Sequence, residues 1–95
     1  MPEMHFHVRW PDGSAMRCYS PSLVVKDFLV PGASYPIDEF VARSGRALML
    51  ASERVRAKYG LPCGLAQSQR EQIEAKAARF DGTSDARVTV EAFEE

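Results

Sequence analysis

The chain has 95 residues, of which 45% are hydrophobic, and its 12 basic and 13 acidic side chains leave a formal net charge of −1. This length and composition predict one small domain spanning residues 1–95, and the balanced charge argues against nucleic-acid binding through a general positive field. No stretch approaches the roughly 20 apolar residues of a membrane span, and no signal-peptide pattern opens the chain, which predicts a cytoplasmic protein without membrane association.

The N-terminal segment predicts a β-hairpin. Residues 3–10 alternate as in a half-buried strand, with Met4, Phe6, Val8 and Trp10 on the inner side and Glu3, His5, His7 and Arg9 on the outer side. The sequence PDGS at 11–14 is typical of a turn. The returning strand at 15–20 would direct Met16 and Cys18 inward and Arg17 and Tyr19 outward.

The next two segments lack a regular pattern of apolar residues. At residues 21–29, Ser20 and Pro21 fit an N-cap and a first helical position, whereas the run LVV fits a strand equally well, so both structures stay open. Residues 30–36 are predicted to form a loop because Pro31, Gly32 and Pro36 interrupt them.

Two helices and a last strand follow. A stripe of apolar and small residues at spacings of three and four predicts a helix over 37–59, with Gly60 as its C-terminal cap and Pro62 preventing its continuation. A second helix is predicted over 65–80, with the inner face Leu65, Gln69, Ile73, Ala77 and Phe80. After the break DGTSD, a strand is predicted with Val88, Val90 and Ala92 on one face and Arg87, Thr89, Glu91 and Phe93 on the other.

This order predicts the α+β class, with a small three-stranded antiparallel or mixed sheet covered on one face by two or three helices. The uncovered face would collect His5, His7, Arg9, Arg17, Tyr19, Thr89, Glu91 and Phe93. Arginine and aromatic side chains are enriched at interfaces, so this face is predicted to bind a protein partner or a second copy of the chain. The alternative is that another segment of the chain covers it.

The His5 and His7 pair raises a second hypothesis, a small metal-dependent enzyme. Side chains at i and i+2 on a strand share a face at a distance of about 7 Å, which permits both imidazoles to reach one metal ion. A third ligand would have to come from Glu91, Glu3 or a cysteine, because the chain contains no other histidine. A polar, solvated strand face explains the pair more simply, and we predict neither a metal nor a cofactor.

Cys18 and Cys63 lack the spacing of a metal motif and are predicted to be reduced thiols. Cys63 precedes a predicted helix and would act as a nucleophile only if the fold brought a base such as His5 beside it. The most basic helix face carries Arg43, Arg46, Arg54, Arg56 and Lys58. Glu39 and Glu53 reduce the positive charge of this face. The face has no RNA-binding signature and is typical of a solvated helix surface.

Several segments together resemble one protein family. These are MPEMHFHVRWPDGS, CYSPSLVVKDFL, YPIDEFVARS, SERVRAKYGLPC and ARFDG followed by VTVEAF. Over nearly the whole chain they are similar to small bacterial nitrogen starvation response proteins, whose genes cluster with those of a nitrilase, a radical SAM protein, an acetyltransferase and a flavoprotein. The resemblance implies a role in nitrogen limitation but assigns no catalytic or ligand-binding residue.

Overall fold

The computed structural model describes residues 3–61, 63–80 and 85–95. The elements in chain order are β1 (Met4–Arg9), β2 (Ala15–Ser20), a 3₁₀ helix (Leu23–Asp27), β3 (Ser34–Pro36), α1 (Ile37–Tyr59), α2 (Gly64–Ala78) and β4 (Arg87–Glu94). The predicted α+β class is confirmed.

The four strands form one antiparallel sheet in the order β2-β1-β4-β3. The prediction of three strands was wrong, because Ser34–Pro36 in the predicted loop pairs with β4. Gly32 and Ala33 already exchange backbone hydrogen bonds with Val90, at 2.7 and 2.9 Å. Pro36 is compatible with this short strand because an edge strand can leave one side of its backbone unpaired.

The turn between β1 and β2 is built as its sequence predicts. Gly13 has a φ of +87°, and the Asp12 carboxylate accepts hydrogen bonds from the Ser14 backbone N–H (3.0 Å) and hydroxyl (2.6 Å). These bonds, with a further one from Lys76, hold the pKa of Asp12 well below its usual range. The 3.0 Å ion pair between Lys76 and Asp12 also connects α2 to the hairpin.

The ambiguous segment at 21–29 contains the 3₁₀ helix and no strand. Its N-cap is Ser22, whose hydroxyl accepts a 3.2 Å hydrogen bond from the Val24 N–H. Ser20, the predicted N-cap, instead ends β2 and donates its hydroxyl to the Ser22 carbonyl at 2.7 Å.

Helix α1 has the predicted bounds and ends at Gly60, which has a φ of +83° and donates to the Arg56 carbonyl at 2.8 Å. Helix α2 runs from Gly64 to Ala78, and its buried residues are Ala66, Gln69 and Ile73. Leu65 was predicted to face inward, yet it is 66% exposed because the buried stripe begins one residue later. Pro62 and most of the predicted break, at 81–84, lie outside the described residues.

Both helices and the 3₁₀ helix pack on one face of the sheet around a single hydrophobic core. Its largest fully buried side chains include Trp10, Phe6, Phe40, Met4, Leu29 and Leu48. The Trp10 indole stacks on Phe80 at 6.0 Å between ring centroids and meets the edge of Phe40 at 5.6 Å. Neither helix in the described part of the chain is long and apolar enough to cross a membrane.

A β-bulge in β4 reverses part of the predicted facing. His7 pairs with Ala92 while the next residue, Val8, pairs with Val90, which leaves Glu91 as the extra residue. Beyond the bulge, Phe93 lies opposite Phe6 and packs against the core, whereas Ala92 is exposed. The predictions that Phe93 points outward and Ala92 inward were therefore wrong.

Candidate binding surface on the open sheet face

The sheet surface opposite the helices, here called the open face, carries seven of the eight residues predicted for it. Residues directly opposite in neighbouring strands share a face, so the pairings of β1 with β2 and β4 define this surface. Its members are His5, His7, Arg9, Arg17, Tyr19, Thr89, Glu91, Ala92 and Glu94. The eighth predicted residue, Phe93, lies on the core side.

A charged cluster joins three strands at the centre of this face. The Arg17 guanidinium donates two hydrogen bonds to the Glu94 carboxylate, at 2.9 and 3.1 Å, and His7 Nε2 lies 2.9 Å from Glu94 Oε1. The Arg17 hydrogen bond, followed by that of His7, lowers the pKa of Glu94 to about 2. The same carboxylate raises the pKa of Arg17. Glu94 is therefore a fixed negative charge between two donors.

A second ion pair is positioned by the bulge. Glu91, the extra residue of β4, accepts hydrogen bonds from Arg9 Nε and Nη2, both at 3.3 Å. The remaining terminal nitrogen of Arg9 donates to the Gly13 carbonyl at 2.8 Å, which fixes the guanidinium over the turn. The open face thus presents two arginine and carboxylate pairs side by side.

These charged side chains are within reach of a partner. Their exposed fractions are 47% for Arg9, 54% for Arg17, 40% for Glu91 and 49% for Glu94. Exposed ion pairs add little to the stability of a folded chain, because solvent screens them and the side chains lose conformational entropy. Their contribution to the free energy of unfolding is therefore expected to be small.

An aromatic pair lies at the end of the open face nearest to α2. The rings of His5 and Tyr19 meet edge to face at a centroid distance of 5.7 Å. Partial burial, with hydrogen bonds involving Glu3 and Cys63, raises the pKa of the Tyr19 hydroxyl to about 12. Tyr19 therefore stays neutral at physiological pH and supplies an amphipathic contact surface.

The two cysteines occupy different environments. Both are free, and burial raises the pKa of the Cys18 thiol to about 12. Cys63 is partly buried at the N-cap of α2, where its backbone N–H donates to the Ser52 hydroxyl at 3.1 Å. Among the described residues no hydrogen bond joins the Cys63 thiol to a histidine, so the base that a cysteine nucleophile needs is not in place.

The histidine pair shares a face as predicted, but each ring is already engaged. His7 contacts Glu94, and His5 packs against Tyr19. Within residues 3–61, 63–80 and 85–95, no group of three or more His, Cys, Asp or Glu side chains is arranged to hold a metal ion. The described part of the chain therefore lacks the ligand set that the metal hypothesis requires.

Glu94 is the charged member of the open face that the sequence analysis missed. Strict alternation from Val88 assigns it to the inner side, and only the bulge brings it out beside His7. A signal was nevertheless present, because the large apolar residues of this strand, Val88, Val90 and Phe93, are spaced by two and then by three. A spacing of three within a strand indicates one extra residue.

A comparison with models of protein families identifies the family of this chain. A family model described as nitrogen starvation-induced protein NitG matches residues 5–93. The chain belongs to the NitG family. The match includes nearly all of every strand and helix of the fold and every residue of the open face except Glu94. Neither the curated proteins nor the solved structures gave a match to this member of the NitG family.

Proposed function

We propose that this member of the NitG family is a non-enzymatic accessory protein of the nitrogen starvation response, and that its open face binds a second copy of the chain. The observation that carries the proposal is the arrangement of Arg9 with Glu91 and Arg17 with Glu94 on an uncovered sheet. The link to nitrogen starvation is supported by the family description, and the non-enzymatic role by the lack, among the described residues, of a group of side chains arranged to hold a metal ion.

Self-association is favoured because the surface is complementary to itself. A twofold dimer brings the same patch of both copies together, so each charge must meet its opposite on an identical surface. The open face supports this condition with two guanidinium groups on β1 and β2 and two carboxylates on β4. A partner with a single sign of charge would instead meet repulsion from half of them.

The energetics predict a weak, reversible dimer. Because the ion pairs are already formed in each copy, burying them at an interface leaves no charge unpaired. Burial of an unpaired charge is what costs the most free energy. The strands make a surface of roughly 20 Å by 15 Å. This is small beside the roughly 800 Å² per partner of a standard interface, so association is expected in the micromolar range or weaker.

Sedimentation equilibrium over a wide concentration range tests this proposal. Arg17→Glu and Glu94→Arg each place like charges together, and each variant alone should weaken dimerisation by about tenfold or more. An equimolar mixture of the two should recover association, because the carboxylate introduced at position 17 of one copy can pair with the guanidinium introduced at position 94 of the other. Arg54→Glu is the matched control, since it makes the same charge change on α1, away from the sheet.

A wild-type chain that remains monomeric at millimolar concentration would contradict the proposal. Equal association of wild type, Arg17→Glu and Glu94→Arg would contradict it as well, because the interface would then lie elsewhere. Loss in the single variants without recovery in the mixture would show that the two charges do not meet across the interface, which is also contrary to the proposal.

A further inference from the structure

The helical side of the molecule carries a second surface, which lies opposite the open face. Two adjacent cavities of about 280 and 470 Å³ follow the groove between α1 and α2. Both are lined by Met49 of α1 and by Arg70 and Glu74 of α2, so they form one continuous depression. This depression is called the helix groove below.

The helix groove exposes apolar side chains that a stable monomer usually covers. Met49 is 49% exposed and Leu50 is 37% exposed, and both line the larger cavity. Val41 and Gly45 precede Met49 at intervals of four residues, so the three lie on one side of α1. Gly45 leaves room beside α1, where the nearest atoms to a methyl group would be those of the Arg70 side chain, at 3.9 Å.

The charges around the helix groove are ordered along its length. Glu71 and Glu53 line the smaller cavity, and Glu53 also lies 3.8 Å from Arg56, whereas Arg46 lines the larger cavity. Between them, Arg70 and Glu74 neutralise each other in a 3.0 Å ion pair. The groove is therefore acidic at its Glu53 end, and Arg46 adds a positive charge beside Met49, about two helical turns from Glu53.

We propose that the helix groove binds a short amphipathic helix of another protein. Exposed apolar side chains between two helices suit the apolar face of a third, and methionine adapts to different partners. The groove follows α1 from Val41 to Glu53, which corresponds to about 18 Å or three helical turns. The charges set the chemistry of the ligand, which carries Lys or Arg at the end that lies over Glu53 and Glu71 and Asp or Glu about two helical turns further along, beside Arg46.

This site is independent of the open face, because the two surfaces lie on opposite sides of the sheet. A dimer formed through the open faces would present two helix grooves outward. Each dimer would then hold two copies of a partner helix, which raises the avidity for an oligomeric partner.

Fluorescence anisotropy with synthetic peptides tests the proposal. The probe is a fluorescein-labelled amphipathic peptide of roughly 14 residues, with leucines at i, i+3 and i+7, lysines at one end and glutamates roughly seven residues further along. The comparison peptide has the same composition with the leucines spread around the helix. We expect the amphipathic peptide to bind, the comparison peptide to bind at least about tenfold more weakly, and Met49→Glu to remove the difference.

Val30→Glu is the matched control for Met49→Glu. Val30 is 59% exposed and lies outside the helix groove, so the same charge introduced there should leave peptide binding unchanged. The double variant Glu53→Lys with Glu71→Lys tests the charge order. It should weaken binding of this peptide and favour a peptide in which glutamates replace the lysines.

Equal binding of the two peptides, or equal binding by wild type and Met49→Glu, would overturn the proposal. Arg17→Glu separates this outcome from a failure of the dimer proposal, because it should weaken self-association without changing the affinity for the peptide. Far-UV circular dichroism of each variant verifies that the fold is retained.

Discussion

Glu94 shows how one residue organises the open face. Its carboxylate takes two hydrogen bonds from Arg17 and one contact from His7, and these donors come from two other strands. A charge-assisted bidentate pair fixes both orientation and protonation state. Glu94 therefore supplies a negative charge of fixed position at the centre of the open face.

The lowered pKa of Glu94 leads to a direct prediction. Arg17→Met removes the main hydrogen-bond donor, so the pKa of Glu94 should rise from about 2 towards its ordinary value of 4.5. In wild type, the stabilising contribution of the cluster is complete above pH 4.5 and disappears as the pH falls towards 2. Carbon-13 NMR titration of the Glu94 carboxyl group measures this shift directly.

Arg54→Met is the control for this titration, since it removes an arginine distant from the sheet and should leave the pKa of Glu94 near 2. An unchanged pKa of Glu94 in Arg17→Met would show that the hydrogen bonds of the cluster do not form in solution.

The face of the sheet on which a residue lies was predictable where the alternation of apolar and polar residues was unbroken. The alternation of residues 3–10 placed His5, His7 and Arg9 correctly, because β1 is central and one of its faces must be buried. Phe93 was placed on the wrong face because strict alternation cannot register the extra residue at Glu91. The contacts of Tyr19 with α2 were also beyond prediction, since they depend on how elements 50 residues apart come together.

At the scale of elements, the two edge strands of the sheet limit pairing with further strands in different ways. β3 is an edge of only three residues that ends in Pro36, which offers little backbone for another strand to join. The other edge, β2, is protected by a side chain. The Tyr19 N–H donates to Gln69 Oε1 at 3.0 Å, and Gln69 is only 6% exposed. A polar residue on the inner face of α2 therefore completes the hydrogen bonding of the sheet.

Gln69→Ala should destabilise the fold measurably. The substitution leaves the Tyr19 N–H without its partner in a partly buried position, which costs about 1 to 3 kcal/mol in free energy of unfolding. Gln72→Ala is the matched control, because Gln72 is exposed on the same helix and its loss should change the stability by less than about 0.5 kcal/mol. Urea unfolding of the three proteins measures both effects, and equal midpoints for the two variants would contradict the edge-capping role of Gln69.

The helices were the most predictable elements, since α1 carries a long periodic stripe and a glycine cap. β3 escaped prediction because three residues give no readable alternation, and pairing with β4 alone makes them a strand. The buried glutamine of α2 was predicted to face inward, but its role required knowledge of the sheet edge it covers.

At the scale of the whole molecule, the fold separates two surfaces of opposite character. The open face is polar and ordered by ion pairs, whereas the helix groove exposes apolar side chains with charged residues beside them. Composition and net charge could not reveal this division, because both describe the chain as an average. The division follows from the packing of both helices on one side of a four-stranded sheet.

The most direct test of this account is a dilution series of ¹⁵N-labelled protein followed by two-dimensional NMR. If copies associate through the open face, raising the concentration should shift the amide resonances of β1, β2 and β4 around His7, Arg17 and Glu94. The resonances of Gly45 and Met49 in the helix groove should stay fixed. Spectra that do not change with concentration, or changes confined to α1 and α2, would contradict self-association through the open face.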